Sequence, residues 1–140
     1  MKRSVEILER KKVRPTANRI LVLEALLDTA HPVSLMELDD IIQTMDKSSV
    51  FRVLNVFLEA DVVHGIEDGS GSLKYEVCQG EDHCSISDMH VHFYCESCQR
   101  TFCFESTGIP QVRIPDGFHP RSFNYMIKGV CPKCSGMPAE

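Results

Sequence analysis

Two cysteine pairs, Cys95-Glu96-Ser97-Cys98 and Cys131-Pro132-Lys133-Cys134, carry the clearest chemistry in this chain of 140 residues. Each pair can form a tight turn that aims two sulfurs at one point, and two such turns supply the four thiolates that tetrahedral Zn²⁺ prefers. The 32 residues between the pairs exceed the usual zinc-ribbon spacing. Strand-like segments fill that gap, so a sheet can bring the knuckles together. The expectation is a structural zinc on Cys95, Cys98, Cys131 and Cys134. A redox dithiol is the competing chemistry. It needs a helix after its first cysteine to lower the thiol pKa, whereas Ser135-Gly136-Met137-Pro138 follows the second pair.

A second constellation mixes nitrogen, oxygen and sulfur. His90 and His92 are two apart in a strand-like segment, so both imidazoles point to one face while Val91 and Phe93 point to a core. In Thr101-Phe102-Cys103-Phe104-Glu105, Cys103 and Glu105 share a face in the same way. Glu76 and Cys78 do so in Leu73 to Cys78. These residues can assemble a metal site apart from the four-thiolate one, histidine being the commonest metal ligand.

Composition narrows the class. No apolar run approaches the ~20 residues that span a bilayer, and the first residues lack a signal-peptide core, so a cytoplasmic location is expected. Seven cysteines then read as thiols and metal ligands rather than as a disulfide framework. The net charge is −5, but it is unevenly spread. Lys2, Arg3, Arg10, Lys11, Lys12, Arg14 and Arg19 crowd the first 19 residues against only Glu6 and Glu9. A basic end on an acidic body suggests a polyanion-binding lobe joined to another function.

The elements that must position these residues are legible. Ser4 to Lys12 reads as a short charged helix. Thr16 caps a second helix with Ile20, Leu23 and Leu27 on one face and Leu26 beside them, and His31-Pro32 stops it. Ser34 and Glu37 have capping-box spacing and open a third helix. Asp46 caps a fourth, from about Lys47 to Ala60, whose apolar face carries Val50, Val53, Leu54, Phe57 and Leu58. Its other side holds Ser48, Ser49, Arg52 and Asn55 with Phe51 at the border, short polar groups that suit a DNA major groove. A hairpin follows, Val62 to Glu67 and Leu73 to Val77, around a glycine-rich turn. Short strands at Val91 to Tyr94, Thr101 to Glu105 and Ser122 to Lys128 fill the second half, while Pro110, Pro115 and Gly117 argue against a long helix there. This is an α+β chain, with a winged helix-turn-helix followed by a small α/β lobe.

Several motifs in order resemble the ferric uptake regulator family of metal-responsive repressors. Arg14-Pro15-Thr16-Ala17-Asn18-Arg19 resembles the entry to that family's second helix. Ser49-Val50-Phe51-Arg52-Val53-Leu54 is similar to its recognition-helix motif, with Phe51 in place of tyrosine. His90-Val91-His92-Phe93-Tyr94-Cys95-Glu96-Ser97-Cys98 and Gly129-Val130-Cys131-Pro132-Lys133-Cys134 resemble its metal-binding core. The resemblance implies a homodimer, structural zinc on the four cysteines, and a sensory site on His31, Glu76, His90 and His92, with Cys103 in place of a final acid. Ligand positions of a further family site hold Met89, Val91 and Phe123 here, which implies that site is absent. The helix that buttresses the family's dimer is replaced by Ile109 to Pro115.

The resulting expectation is a winged-helix domain over 1–78, a connector over 79–89 and a dimerisation and metal-binding domain over 90–140. The protein would be a non-enzymatic repressor of metal-homeostasis genes. It would act on a double-stranded DNA operator, with no membrane partner and no small organic substrate. Arg52, Ser49, Phe51, Ser48 and Asn55 would read bases, and Arg14 and Arg19 would hold phosphates. The regulatory metal would be Zn²⁺ or Fe²⁺, the Cys103 thiolate tilting the choice to zinc. Two other classes share these residues: a zinc-bearing thiol redox or peroxide sensor, and a winged-helix adaptor that binds protein instead of DNA.

Overall fold

The computed structural model describes residues 2–29, 31–78, 91–104, 110–120 and 123–136. Four helices come first: α1 Lys2–Arg10, α2 Ala17–Asp28, α3 Leu35–Ile41 and α4 Lys47–Glu59. Lys12, at φ +61°, ends the first turn of chain after α1. The Thr16 hydroxyl accepts the Arg19 N–H at 3.3 Å and opens α2. Ser34 and Glu37 form a complete capping box at α3. These caps satisfy backbone donors that the first turn of a helix leaves without partners.

The helices share one core with the hairpin. Leu8, Val22, Leu23, Leu38, Val50, Leu54 and Phe57 are wholly buried. Of the expected α2 face, Leu23 and Leu26 are buried together with Val22, while Ile20 and Leu27 pack at its edge. Partners on two sides of α2, α1 and α4, set which face is inward. Lys11 also departs from the expected basic surface. It is buried, its ammonium 3.6 Å from Cys78 Sγ.

The first sheet has strand order β1-β3-β2, from Val33–Ser34, Val63–Glu67 and Leu73–Val77. The two-residue β1 has no readable period and went unforeseen. Val63, Tyr75 and Val77 turn toward the helical core. The alternate residues His64, Ile66, Lys74 and Glu76 occupy the opposite face. Ile66 is 4% exposed although it lies outside the helical core, because that opposite face is covered too.

The cover is the second sheet, order β5-β4-β6, from Val91–Cys95, Thr101–Phe104 and Met126–Gly129. β4 and β5 are antiparallel, while β6 runs parallel to β4. β6 starts later than the expected Ser122. Residues 110–120 are exposed and hold neither helix nor strand, in line with Pro110, Pro115 and Gly117. Cys78 corrects one expectation, since it is disulfide-bonded. Whether two sulfurs bond depends on how close the fold brings them.

Candidate metal centres

The parallel β4–β6 pair builds the four-cysteine cluster. Cys95 ends β4 opposite Gly129 of β6, and the Glu96 N–H bonds the Gly129 carbonyl at 2.8 Å. Two residues beyond Gly129 the chain reaches Cys131. A positive φ at Gln99 and another at Gly136 turn the backbone out of each knuckle. One sulfur from each of Cys95, Cys98, Cys131 and Cys134 falls within 4.8 Å of the others. The N–H groups of Cys98 and Cys131 both point at Cys95 Sγ, each at 3.4 Å. The Cys98 N–H is the larger influence, and together these donors bring the Cys95 thiol down to about 6. At Cys134 the Ser97 side chain acts downward, but the sulfurs of Cys131, Cys95 and Cys98 outweigh it and push the thiol up to about 11. Sulfurs crowded this closely disfavour further negative charge at Cys134 until a cation offsets it. This donor set fits a divalent soft cation.

A second donor group lies where the two sheets face each other. Glu76 comes from β3, His92 from β4 and Cys103 from β5, with ligand atoms all within 4.8 Å. His92 Nε2 stands 2.9 Å from Glu76 Oε2. Register explains the meeting: His92 and Cys103 are opposite one another in the β4–β5 ladder, so both side chains leave the same face toward β3. The oxygen, nitrogen and sulfur donors fit a borderline divalent ion.

One pleat away, on the same strands, a buried polar contact joins the sheets without a metal. Lys74 Nζ is 2.8 Å from Asp68 Oδ2 and 3.3 Å from Thr101 Oγ1, and the Thr101 hydroxyl donates to the same carboxylate oxygen. The ammonium also lies 5.7 Å from the centre of the Tyr94 ring. Burial alone would push the Asp68 carboxyl up. The Lys74 ammonium, with Ser70 and Thr101, overcomes that and holds it well below the usual carboxylate range.

The ferric uptake regulator family model matches residues 10–116, most of the chain. This chain belongs to the ferric uptake regulator family. A ferric uptake regulation protein from Campylobacter jejuni is 28% identical over 97 residues, which cover 66% of this chain and 57% of that relative. The Helicobacter pylori ferric uptake regulator Fur superposes with a TM-score of 0.63 at 17% identity, covering 96% of this chain and 90% of that one. A zinc uptake regulator complexed with zinc and DNA gives 0.67 at 19% identity, covering 96% and 92%. At these identities the structural likeness is one of fold, and that fold is mixed helix and strand.

Within this member of the ferric uptake regulator family, the remaining expected site residues are scattered. His31 does not join Glu76, His92 and Cys103. It lines a cavity of about 430 Å³ beside Ser70, Lys74, Cys98 and Thr101, and its Nδ1 sits 2.9 Å from the Pro32 carbonyl. His90 lies outside the described residues, as do Glu105, His83, Cys84 and Met89. His64 was not singled out by sequence, where it reads as one polar residue in a hairpin. It stands directly opposite Glu76 in the β2–β3 ladder, with its Nε2 buried.

On α4, Phe51, Arg52 and Asn55 are exposed. Ser48 and Ser49 are engaged locally: both hydroxyls donate to the Asp46 carboxylate. Ser48 is the stronger influence, and the two hold the Asp46 carboxyl down at about 2. Arg52 Nη2 donates to Ser49 Oγ at 3.2 Å, so Asp46, Ser49 and Arg52 form one chain of contacts. Arg14 is exposed, and Arg19 donates to its carbonyl at 3.0 Å. Among the described residues, no helix is long and apolar enough to cross a membrane.

Proposed function

We propose that this metal-responsive regulator is a homodimeric transcriptional repressor that reads an operator through α4 and senses a divalent metal between its two sheets. The observation that carries the reading is the donor set Glu76, His92 and Cys103, drawn from one strand of the first sheet and two of the second. A metal held there would tie the DNA-reading half to the other half. Only an ion that binds the DNA-competent arrangement better can shift the population toward it.

The roles divide as follows. Residues 1–78 act as the winged helix, 79–89 as connector and 90–140 as the dimerisation and metal-binding part, in a cytoplasmic protein. Cys95, Cys98, Cys131 and Cys134 hold a structural zinc. Glu76, His92 and Cys103, joined by His90, hold the regulatory ion. The Cys103 thiolate favours Zn²⁺ over Fe²⁺. Arg52 with Ser49, Phe51, Ser48 and Asn55 faces the major groove, and Arg14 and Arg19 contact phosphates. A zinc- and DNA-bound relative of the same fold supports the DNA assignment by likeness.

The test is titration of labelled operator duplex with protein carrying only its four-cysteine zinc, before and after added Zn²⁺ or Fe²⁺. Wild type should tighten on adding metal, and His92→Ala should not. Affinity should fall steeply with salt, as counterion release from DNA requires. Binding that ignores both salt and metal would refute the reading.

A further inference from the structure

Glu76 meets His92 and Cys103 only if β3 is held at the right height over β4 and β5. The side chains beside these donors are two residues away on each strand. Lys74 precedes Glu76 on β3, Thr101 precedes Cys103 on β5, and Tyr94 follows His92 on β4. Alternation along a strand puts each pair on one face, one pleat apart. The two rows therefore lie side by side in the same gap between the sheets.

The Lys74 row is buried at the edge of the cavity that His31 lines. The Lys74 side chain is 6% exposed and that of Asp68 is fully buried. Asp68 Oδ1 additionally accepts the Ser70 N–H at 2.9 Å, which fixes the hairpin turn. Two outer contacts reinforce the seat. Asn124 Nδ2 donates to the Glu67 carbonyl at 2.9 Å. The Lys128 side chain lies against Gly69, where an added Cβ would come within 2.3 Å of Nζ. Gly69 has φ +86°, so that tight seat also depends on a residue without a Cβ. A buried ion pair is weak evidence of stabilisation, because desolvation offsets much of its attraction. Its value here is geometric.

We propose that the Asp68–Lys74–Thr101 contact is the positioning element of the regulatory metal site. It holds β3 against β5 at the spacing that brings Glu76 to His92 and Cys103, whether or not metal is present. The inference rests on the reading of that trio as a metal site. Lys74 touches no metal in this arrangement; it acts through the placement of Glu76. A site whose donors are already placed binds without first ordering them. Partners that orient metal ligands from behind typically change affinity by about 10–100-fold when lost.

The experiment uses the full chain with its four-cysteine zinc loaded and Co²⁺ as the probe of the second site. Binding is read by competition with a chromophoric chelator and by the sulfur-to-cobalt charge-transfer band of Cys103. The Asp68→Asn/Lys74→Met double variant removes both charges together while Asn keeps an acceptor for the Ser70 N–H. It should keep its zinc and melt near wild type, yet bind Co²⁺ about 10–100-fold more weakly. Wild-type affinity and spectrum in that variant, with binding abolished by His92→Ala, would overturn the positioning role alone. A wild-type protein that takes up no second Co²⁺ would overturn the metal-site reading and this inference together. If the double variant does not fold, Thr101→Val decides. That change keeps the charge pair and removes one hydroxyl, so several-fold weaker Co²⁺ binding supports the role and unchanged binding refutes it.

Discussion

Lys74 and Glu76 leave the same face of β3 and cross to the second sheet, Lys74 to Thr101 at 3.3 Å and Glu76 to His92 at 2.9 Å. One crossing is a buried ion pair complete in itself; the other is a set of metal donors. They separate in their response to substitution. Lys74→Met alone leaves the Asp68 carboxylate buried without its cation and should destabilise the protein by about 3–5 kcal/mol in urea unfolding. Glu76→Gln keeps shape and should cost far less, with its effect confined to metal binding.

Acid should act through the same pair. Asp68 is held below its ordinary value of 3.8, so its contribution to stability is complete above that pH and is lost as pH falls below it. Wild type should therefore lose stability steeply below about pH 4, and Asp68→Asn should show a shallower decline over that interval. Denaturant midpoints across pH 2.5–6 would check this. Parallel curves would mean that other carboxylates carry the acid sensitivity.

The four-cysteine cluster should be a folding element. A zinc ion held there would bind only thiolates, so its binding energy would become folding energy for the second sheet. Cys98→Ser and Cys134→Ser should each lower bound zinc by about one per chain and lower the melting temperature. Metal analysis beside thermal unfolding reads both effects. Full zinc content with unchanged melting in both variants would exclude the site.

On α4, Arg52→Ala should weaken operator binding by about 1–3 kcal/mol while leaving thermal unfolding unchanged, because its side chain is exposed and, among the described residues, bonds the exposed Ser49 hydroxyl. Arg14→Ala should instead weaken all duplexes alike and flatten the salt dependence. Operator affinity equal to wild type in Arg52→Ala would show that α4 presents another face.

Metal choice should follow the donor on β5. Cys103→Asp replaces a soft sulfur by a hard oxygen, so the site should persist but exchange its preference for Zn²⁺ for one toward Fe²⁺ or Mn²⁺. Competitive metal loading of both proteins measures the exchange, and an unchanged order of affinity would remove Cys103 from the ligand set.

Local chemistry made much of this legible in sequence. Thr16, the Ser34–Glu37 box and the Asp68–Gly71 turn announce element ends through side-chain and φ requirements that tertiary contacts do not alter. Four cysteines at knuckle spacing behave likewise. What stayed hidden depends on which faces meet. Neither Lys74 nor Asp68 stands out in the sequence, and nothing local says that Thr101, 27 residues beyond Lys74, meets them in a buried contact. His64 became visible only through register with Glu76. His31 went the other way: the family resemblance implied a place in the sensory set, but the path through Pro32 and β1 carries it to the hairpin turn.

The parallel pairing of β4 with β6 also sets a schedule. Cys95 meets the Cys131 backbone across 36 residues of chain, and only after both partners exist can the cluster close. The helices and hairpin complete their own contacts within the first 78 residues. During synthesis the half bearing α4 can therefore collapse while the sulfurs of Cys95 and Cys98 still wait for theirs. A nascent chain at that stage would carry a folded reading helix with no cluster and no second sheet behind it. Zinc supply would then govern how long such half-built molecules persist, and so the yield of finished protein in a metal-starved cell.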